Sequence, residues 1–223
     1  MNIVNQPKFN WKPFEEDIFI TGKKGEGKTT RCKRILDIIK PTLPYWIWSP
    51  QRPLENYGQY GHVVREINQM QYGQYVYAGN DWSDEAFTRF LRRAMTQRNL
   101  VLALDDLHER VTKRAIVKEL RNLVLSGRNR GISSIYITTT PRSVPNEILG
   151  NVSHVFAYPF VMQVDVEWLE KNLLGVDAWI LISKDKRKYF QDSDIDVLPS
   201  RSYVYRNESD NDSQIVIPTS ESQ

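Results

Sequence analysis

One stretch of the chain combines glycines, lysines and hydroxyl side chains at a spacing that suits phosphate binding. Gly22 is followed after four residues by Gly27, Lys28 and Thr29, the complete G-x-x-x-x-G-K-T pattern of a P-loop. Glycines let successive backbone amides close around phosphate oxygens, and a helix that starts there adds partial positive charge. The predicted nucleotide-binding residues are Gly22, Lys23, Lys24, Gly25, Glu26, Gly27, Lys28, Thr29 and Thr30.

A pair of acids follows an apolar run of strand character further along the chain. Asp105 and Asp106 come directly after Val-Leu-Ala-Leu, and an acid at the carboxyl end of a buried parallel strand faces the ligand crevice. With ATP as the nucleotide, Lys28 would reach its β- and γ-phosphates, while Thr29 and Asp105 would hold Mg²⁺. Asp106 would orient or deprotonate the attacking water, or Glu109 would share that task, because Asp is one methylene shorter than Glu. The alternative is that the two acids only cap the next helix.

Two arginines and two threonines complete the set of candidate catalytic residues. Arg128 and Arg130 lie in a Gly-bounded loop between a helix and a strand, from which a guanidinium could reach a γ-phosphate held by a neighbouring subunit. Alternatively, both are solvated or pair with carboxylates such as Glu109. Thr139 and Thr140 end the next strand and could hydrogen-bond the γ-phosphate or the water. The alternative for them is a plain preference of β-branched residues for strands.

Composition narrows the classes of protein that can carry these residues. The chain has 223 residues, 40% of them apolar, a net charge of +3 and a single cysteine. One cysteine excludes a disulfide framework, and we see no apolar run of transmembrane length, so a soluble protein is expected. The mild charge permits nucleic-acid binding through local basic patches without requiring it.

Strands alternating with helices predict an α/β fold, with a mostly parallel central sheet between two helical layers. The predicted strands are 15–20, 45–49, 62–67, 75–78, 100–104, 132–139 and 152–158. The predicted helices are 32–40, 83–97, 112–126 and 164–174, with 51–61 read as a loop. We further predict a terminal hairpin from 178–183 and 188–191. The domain division is an N-terminal arm outside the sheet (1–14), a P-loop ATPase domain (15–205) and a polar, disordered tail (206–223).

Four segments together resemble the FtsK/HerA superfamily of ring-forming, DNA-pumping ATPases. They are G-K-K-G-E-G-K-T at 22–29, L-A-L-D-D at 102–106, G-R-N-R-G-I at 127–132, and T-T-T-P-R-S-V-P-N-E-I-L with the strand that ends at Tyr158. The resemblance covers about residues 15–160 and implies a RecA-like core, with the strand at 132–139 between the P-loop strand and the Asp105 strand. The chain departs from the family where Thr139 or Thr140 replaces the usual Gln sensor and where Asp106 replaces Glu.

The compact size also resembles the genome-packaging ATPases of viruses with an internal membrane and a double-jelly-roll capsid. That resemblance implies a homo-oligomeric ring, with a hexamer expected, that translocates double-stranded DNA without sequence specificity. Capsid-vertex or membrane proteins are further expected partners, and the expected location is the virion and host cytoplasm, or the cytoplasm of a cell if the protein is cellular. Basic loops at 110–114 and 184–188 are candidate DNA contacts, or else simply solvated.

Three alternatives to a packaging motor remain open from the sequence. One is a cellular DNA translocase of the same superfamily, and another is a small P-loop kinase, for which we find no convincing Arg-rich lid. The third is a nucleotide-binding assembly switch with slow turnover, which the Asp and Thr departures keep open.

Overall fold

The computed structural model describes residues 2–4, 7, 9–112, 116–160, 162–175, 181, 202–208 and 212–217. Its centre is a ten-stranded sheet of order β1-β10-β9-β8-β2-β7-β6-β3-β5-β4. The strands are β1 Asn2–Val4, β2 Asp17–Thr21, β3 Tyr45–Trp48, β4 His62–Val64, β5 Gln74–Tyr77, β6 Leu100–Leu104, β7 Ile132–Thr138, β8 Val152–Ala157, β9 Tyr203–Asn207 and β10 Asp212–Val216.

The sheet is mostly parallel, as predicted. Of the described strands, only β9 runs against its neighbours, pairing antiparallel with both β8 and β10. The P-loop strand β2 pairs with β7, and β7 pairs with the acid-bearing strand β6. This confirms the order implied by the family resemblance. Because these strands are parallel, their carboxyl ends meet at one edge of the sheet, where ligands of α/β proteins bind.

Helices cover both faces of the sheet and give the predicted three layers. They are α1 Lys28–Ile39, α2 Pro53–Tyr57, α3 Asp84–Ala94, α4 Lys118–Ser126, α5 Asn146–Leu149 and α6 Gln163–Leu169, which continues as a π-helical turn over Glu170–Leu174. Alternate residues of the strands supply the two cores. Ile18 and Ile20 of β2 pack with α1 on one face, whereas Phe19 joins the cluster that contains α3 to α6.

The sequence explains where α3 begins and which side of it is buried. Ser83 caps the helix, its side chain accepting a hydrogen bond from the backbone amide of Ala86 at 3.2 Å, and two acids occupy the first turn. Both features stabilise a helix amino terminus. The residues that recur at helical spacing are the buried ones: Ala86, Phe87, Phe90, Leu91 and Ala94.

Several predicted boundaries inside the domain are wrong. Residues 51–61 are not a loop, because α2 and a 3-10 turn at Gly58–Tyr60 fill most of the segment. The predicted helix at 112–126 begins only at Lys118. The strand predicted at 62–67 ends at Val64. In the first of these segments the fully buried Tyr57 provides a packing contact that outweighs local propensity.

Both termini differ from the prediction. Within the predicted N-terminal arm, Asn2–Val4 is a strand that pairs parallel with β10. Within the predicted disordered tail, β10 and the end of β9 form an antiparallel pair. Ile215 and Val216 are buried there. Backbone pairing and apolar contacts therefore stabilise a segment whose local composition favours disorder. The hairpin predicted at 178–191 falls almost wholly outside the described residues. None of the described helices has the length and apolar character needed to cross a membrane.

Candidate nucleotide-binding site

The P-loop leaves the end of β2 through a backbone turn that only glycine can make. Gly22 has φ +147°, and a Cβ atom at this position would lie 2.5 Å from the Cβ of Tyr158. The backbone amide of Tyr158 donates to the carbonyl of Thr21 at 2.8 Å, which holds the two segments together. Gly22 is therefore needed both for its conformation and for the close packing of Tyr158 behind the loop.

Tyr158 belongs to an aromatic wall that joins the P-loop helix to the C-terminal strands. Its ring lies 5.0 Å from that of Tyr203 on β9. Arg31, three residues after Lys28, places its guanidinium 4.5 Å from the Tyr203 ring centroid and hydrogen-bonds both tyrosine hydroxyls. Cation–π and hydrogen-bond contacts of this kind fix a half-buried arginine. Strand β9, near the C-terminal end of the predicted ATPase domain, thus supports the helix that follows the P-loop.

The side chain of Lys28 folds back over its own loop. Gly27 has φ +106° and precedes α1, which begins at Lys28. The Nζ of Lys28 donates to the carbonyl of Lys23 at 2.8 Å. Burial lowers the pKa of Lys28, while the negative charges of Asp105 and Asp106 act in the opposite direction. A phosphate oxygen is a stronger acceptor than a carbonyl and would replace this contact.

Asp105 lies at the end of β6 in a buried, hydrogen-bonded position. The hydroxyl of Tyr57 donates to Oδ2 of Asp105 at 3.0 Å, and the backbone amide of Asp106 donates to its Oδ1 at 3.0 Å. Burial, reinforced by the charge of Asp106, raises the pKa of Asp105 to about 6, although both hydrogen bonds and Lys28 oppose the rise. Lys28 and the two hydrogen bonds therefore do not fully offset the cost of burying the negative charge of Asp105.

The residues at this point fit a magnesium ion. Mg²⁺ prefers carboxylate, hydroxyl and phosphate oxygens, and the carboxylate of Asp105 and the hydroxyl of Thr29 line one cleft. A cation beside Asp105 would also offset the desolvation that raises the pKa of its carboxyl. Among the described residues, no cluster of three His, Cys, Asp or Glu side chains could hold a metal without help from a ligand.

Asp106 is presented differently from Asp105. Its backbone adopts the left-handed conformation, with φ +53°, which few non-glycine residues adopt, although aspartate does so more often than most. Burial raises the pKa of Asp106, as does the nearby Glu109, whereas His108, Lys28 and Lys24 lower it. The turn aims the second acid into the cleft, while Glu109 stays exposed and accepts a hydrogen bond from Gln51 at 3.0 Å.

The two threonines lie beside this acid pair. Nε2 of His108 is 3.2 Å from the Oγ1 of Thr139, which links the turn after β6 to the end of β7. The backbone amide of Thr140 donates instead to the side chain of Thr138 at 3.1 Å. The hydroxyl that shares a contact with the acid-bearing turn is therefore that of Thr139.

A single cleft of about 860 Å³ brings most of the predicted residues together. Those that line it are Lys23, Lys24, Gly25, Gly27, Lys28, Thr29, Thr30, Asp105, Asp106, Thr139 and Thr140. Gly22 lies beneath the loop, Glu26 pairs with Lys23 at 3.1 Å, and Glu109 reaches the rim through Gln51. The ends of three strands, β2, β6 and β7, thus bring these predicted residues together at the carboxyl edge of the sheet.

The cleft also contains residues that the sequence analysis missed. They are Gln51, Arg52, Asn56, His108, Arg142, Phe160, Met162 and Asp165. Arg142 is paired with the buried Asp165 at 2.6 Å. Most of these residues follow a strand within a few positions, so polar residues just after each predicted strand were the available signal. Their side-chain directions, however, depend on loops that show no motif.

Arg128 and Arg130 lie at the opposite edge of the sheet. They precede β7, whose seven residues span about 20 Å, whereas the P-loop and Asp105 follow β2 and β6. Arg128 donates to the carbonyl of Asn151 at 2.7 Å, and not to Glu109. Arg130 is exposed, and its side chain makes no hydrogen bond or ion pair within the described part of the chain. Neither arginine can reach the phosphates of its own subunit.

Comparison with known proteins gives structural neighbours only. No family model matches the sequence, and no curated protein gives a match. The genome-packaging NTPase B204 of Sulfolobus turreted icosahedral virus 2, solved with AMPPCP, aligns at a TM-score of 0.71 and 13% identity, over 92% of this chain and 99% of B204. Its complex with ATP-γS gives 0.73 and 12%, over 93% and 99%.

A second kind of neighbour is larger. ATPases 2 and 3 of EssC from Geobacillus thermodenitrificans align at a TM-score of 0.51 and 18% identity, over 92% of this chain but only 40% of EssC. At these identities the likeness concerns the fold. The chain therefore has the α/β fold of the P-loop ATPases, with a site whose parts occupy the carboxyl edge of the sheet.

Proposed function

We propose that this protein is an ATP-hydrolysing motor that translocates double-stranded DNA and packages a viral genome into a preformed capsid. The observation that carries the proposal is the division of the candidate residues between two edges of one sheet. The P-loop and acid pair share a cleft, whereas Arg130 lies at the far edge, where only a neighbouring subunit's nucleotide is within reach. The similarity of the fold to that of B204 supports the packaging role.

The chain's own residues have distinct tasks in this proposal. Lys28 leaves the carbonyl of Lys23 and binds the β- and γ-phosphates, with the P-loop amides around them. Asp106 orients the attacking water and accepts its proton, helped by its raised pKa. Thr139, linked to His108, contacts the γ-phosphate or the attacking water and signals the loss of the γ-phosphate after hydrolysis. Thr29 and Asp105 would hold Mg²⁺, which neutralises phosphate charge when it is bound.

The arginines require an assembly. Arg130, whose exposed side chain has no partner in the described part of the chain, would act in trans as the arginine finger of the next nucleotide site. Arg128, held by the carbonyl of Asn151, would position that loop. Such a head-to-tail contact generates a ring when its rotation closes, and we propose a closed hexamer. Capsid-vertex or membrane proteins would anchor the ring, in the virion and in the host cytoplasm.

ATPase activity and molecular mass, measured with and without duplex DNA, test this function. At low salt, with ATP and Mg²⁺, we expect DNA to stimulate turnover several-fold and the protein to assemble into a ring. Lys28→Ala should abolish nucleotide binding and serves as the inactive control. A protein that stays monomeric under these conditions and shows no response to DNA contradicts the proposal.

A slow assembly switch is the second candidate, favoured by one specific observation. Asp106 is shorter than the usual Glu, so its carboxylate must approach the water more closely. Asp106→Asn and Glu109→Gln separate the possibilities. If Asp106 is the base, Asp106→Asn should retain bound ATP and lose turnover, while Glu109→Gln turns over normally. Tight ATP binding with negligible turnover in the parent protein, and no phosphotransfer to an acceptor, would favour the switch over both motor and kinase.

A further inference from the structure

A second cleft opens at the same carboxyl edge of the sheet, beyond the ends of β4 and β5. It encloses about 510 Å³ and is lined by Arg65, Glu66, Ile67, Asn68, Tyr77, Asn80, Asp81, Arg89 and Arg93. Three guanidinium groups from two separate segments converge there with two amide side chains. Clefts with that many nitrogen donors suit a polyanion.

The two carboxylates of this cleft are already engaged with close neighbours. Glu66 accepts the backbone amide of Gln69 in a capping box. Asp81 pairs with Arg89 at 2.8 Å and accepts the amide of Ser83 at 3.0 Å. Both carboxylates thus bind other groups, and neither pairs with Arg65 or Arg93.

The remaining donors have no such partners. Arg65 is exposed and, among the described residues, makes no hydrogen bond or ion pair. Among the described residues the side chain of Arg93 makes one hydrogen bond, from its Nε to the carbonyl of Met70 at 3.2 Å, so both of its Nη groups are left for a ligand. Asn68 and Asn80 are likewise exposed and add neutral donors of the kind that contact phosphate oxygens.

The cleft is also joined to the candidate hydrolysis site. The sheet order β6-β3-β5 places the end of β5 two strand spacings, about 10 Å, from the end of β6. Arg110, just after the turn that carries Asp106, pairs with Asp84 at 2.9 Å, and its side chain is only 13% exposed. Asp84 begins α3, whose Arg89 and Arg93 line the second cleft. One ion pair therefore connects the two sites.

We propose that this second cleft, centred on Arg65 and Arg93, binds the phosphodiester backbone of the translocated DNA. This inference rests on the proposed function, because it names a contact surface for the same motor. Phosphate contacts carry no sequence information, which suits a motor that must move along any sequence. The pair between Arg110 and Asp84 would transmit occupancy of the cleft to the turn that holds Asp106.

The salt dependence of DNA binding tests the proposal. Fluorescence anisotropy of a labelled duplex, from 50 to 200 mM salt, gives log Kd against log salt. Each arginine that neutralises a phosphate contributes about 0.9 to that slope. Arg65→Ala and Arg93→Ala should each therefore reduce the change in Kd over this range by about 3-fold. Arg65→Lys keeps the charge and should keep the slope. Basal ATPase activity should be unchanged in Arg65→Ala, and DNA stimulation reduced.

Arg98→Ala is the matched control. Arg98 is also an exposed arginine without a partner among the described residues, but it precedes β6 and so lies at the opposite edge. It should behave as the parent. If Arg65→Ala and Arg93→Ala, shown to be folded by their thermal unfolding, bind DNA with the parent's slope, the inference is wrong while the motor stands. If the parent itself neither binds nor responds to DNA, the proposed function fails as well.

Discussion

Replacing Asp105 by asparagine should make the nucleotide-free protein more stable while removing its response to Mg²⁺. The carboxylate is buried, with only 6% of the residue exposed, and its pKa is raised to about 6 from 3.8. A raised pKa in an acid means that the folded state disfavours the charged form. Asparagine keeps the size and the acceptor for the amide of Asp106 but carries no charge.

The size of the effect follows from the pKa. One pH unit corresponds to about 1.4 kcal/mol, so the difference between 3.8 and about 6 costs the folded protein about 3 kcal/mol once the pH exceeds both values. Below pH 3.8 the acid is protonated in both states and the cost vanishes. At pH 5 about half of it remains. These figures are upper bounds for the gain in Asp105→Asn, because the side-chain amide of asparagine replaces the carboxylate oxygen that accepts from the hydroxyl of Tyr57 and so weakens that hydrogen bond.

Urea unfolding without nucleotide or metal, at pH 5 and pH 8, measures this difference. The advantage of Asp105→Asn over the parent should be about twice as large at pH 8 as at pH 5, and about 3 kcal/mol at most. In thermal shift experiments at pH 8, ATP with Mg²⁺ should stabilise the parent more than ATP alone. The variant should show no such difference between the two conditions.

Asp17→Asn provides a comparison at the other end of β2. Burial raises the pKa of Asp17 to about 7, so this variant should also gain stability at high pH, yet it should keep the parent's response to Mg²⁺. The reasoning is refuted if Asp105→Asn is destabilised equally at both pH values, or if it retains the Mg²⁺ effect.

Three further predictions concern the loop, the sensor and the finger. Gly22→Ala should lower the free energy of unfolding in urea by at least 2 kcal/mol, because its Cβ would meet Tyr158 at 2.5 Å. Gly25 has φ +90° but no atom within 4 Å of an added Cβ, so Gly25→Ala should lower it by about 1 kcal/mol. Equal losses in the two variants would contradict this. Thr139→Val should lower kcat about 10- to 100-fold with little change in ATP Kd, whereas a matching loss of affinity would indicate a binding role. Arg130→Ala and Lys28→Ala should each be inactive, but an equal mixture of the two should regain roughly a quarter of parental turnover. The reason is that one subunit interface in four then combines an intact P-loop with an intact arginine. No recovery of turnover in the mixture excludes an arginine finger in trans.

Much of the candidate site could be predicted because its signals are local. The P-loop is a contiguous run whose glycines, lysine and threonine act through backbone geometry, so spacing alone identifies it. The acids after β6 follow from a continuous apolar run that must be buried. The central strands were predicted for the same reason, and their parallel order follows from helices between them.

What the sequence by itself determined is therefore the P-loop, the acid pair and an α/β sheet to carry them. Only the tertiary structure decided that Tyr57 lies under Asp105, that His108 meets Thr139, and that Arg130 points away from its own nucleotide site. It also made strands of 2–4 and 212–216, where composition indicated an arm and a disordered tail. The physical reason is that these outcomes depend on contacts between segments far apart in the chain. The free energy of such contacts does not enter the local propensity of either segment.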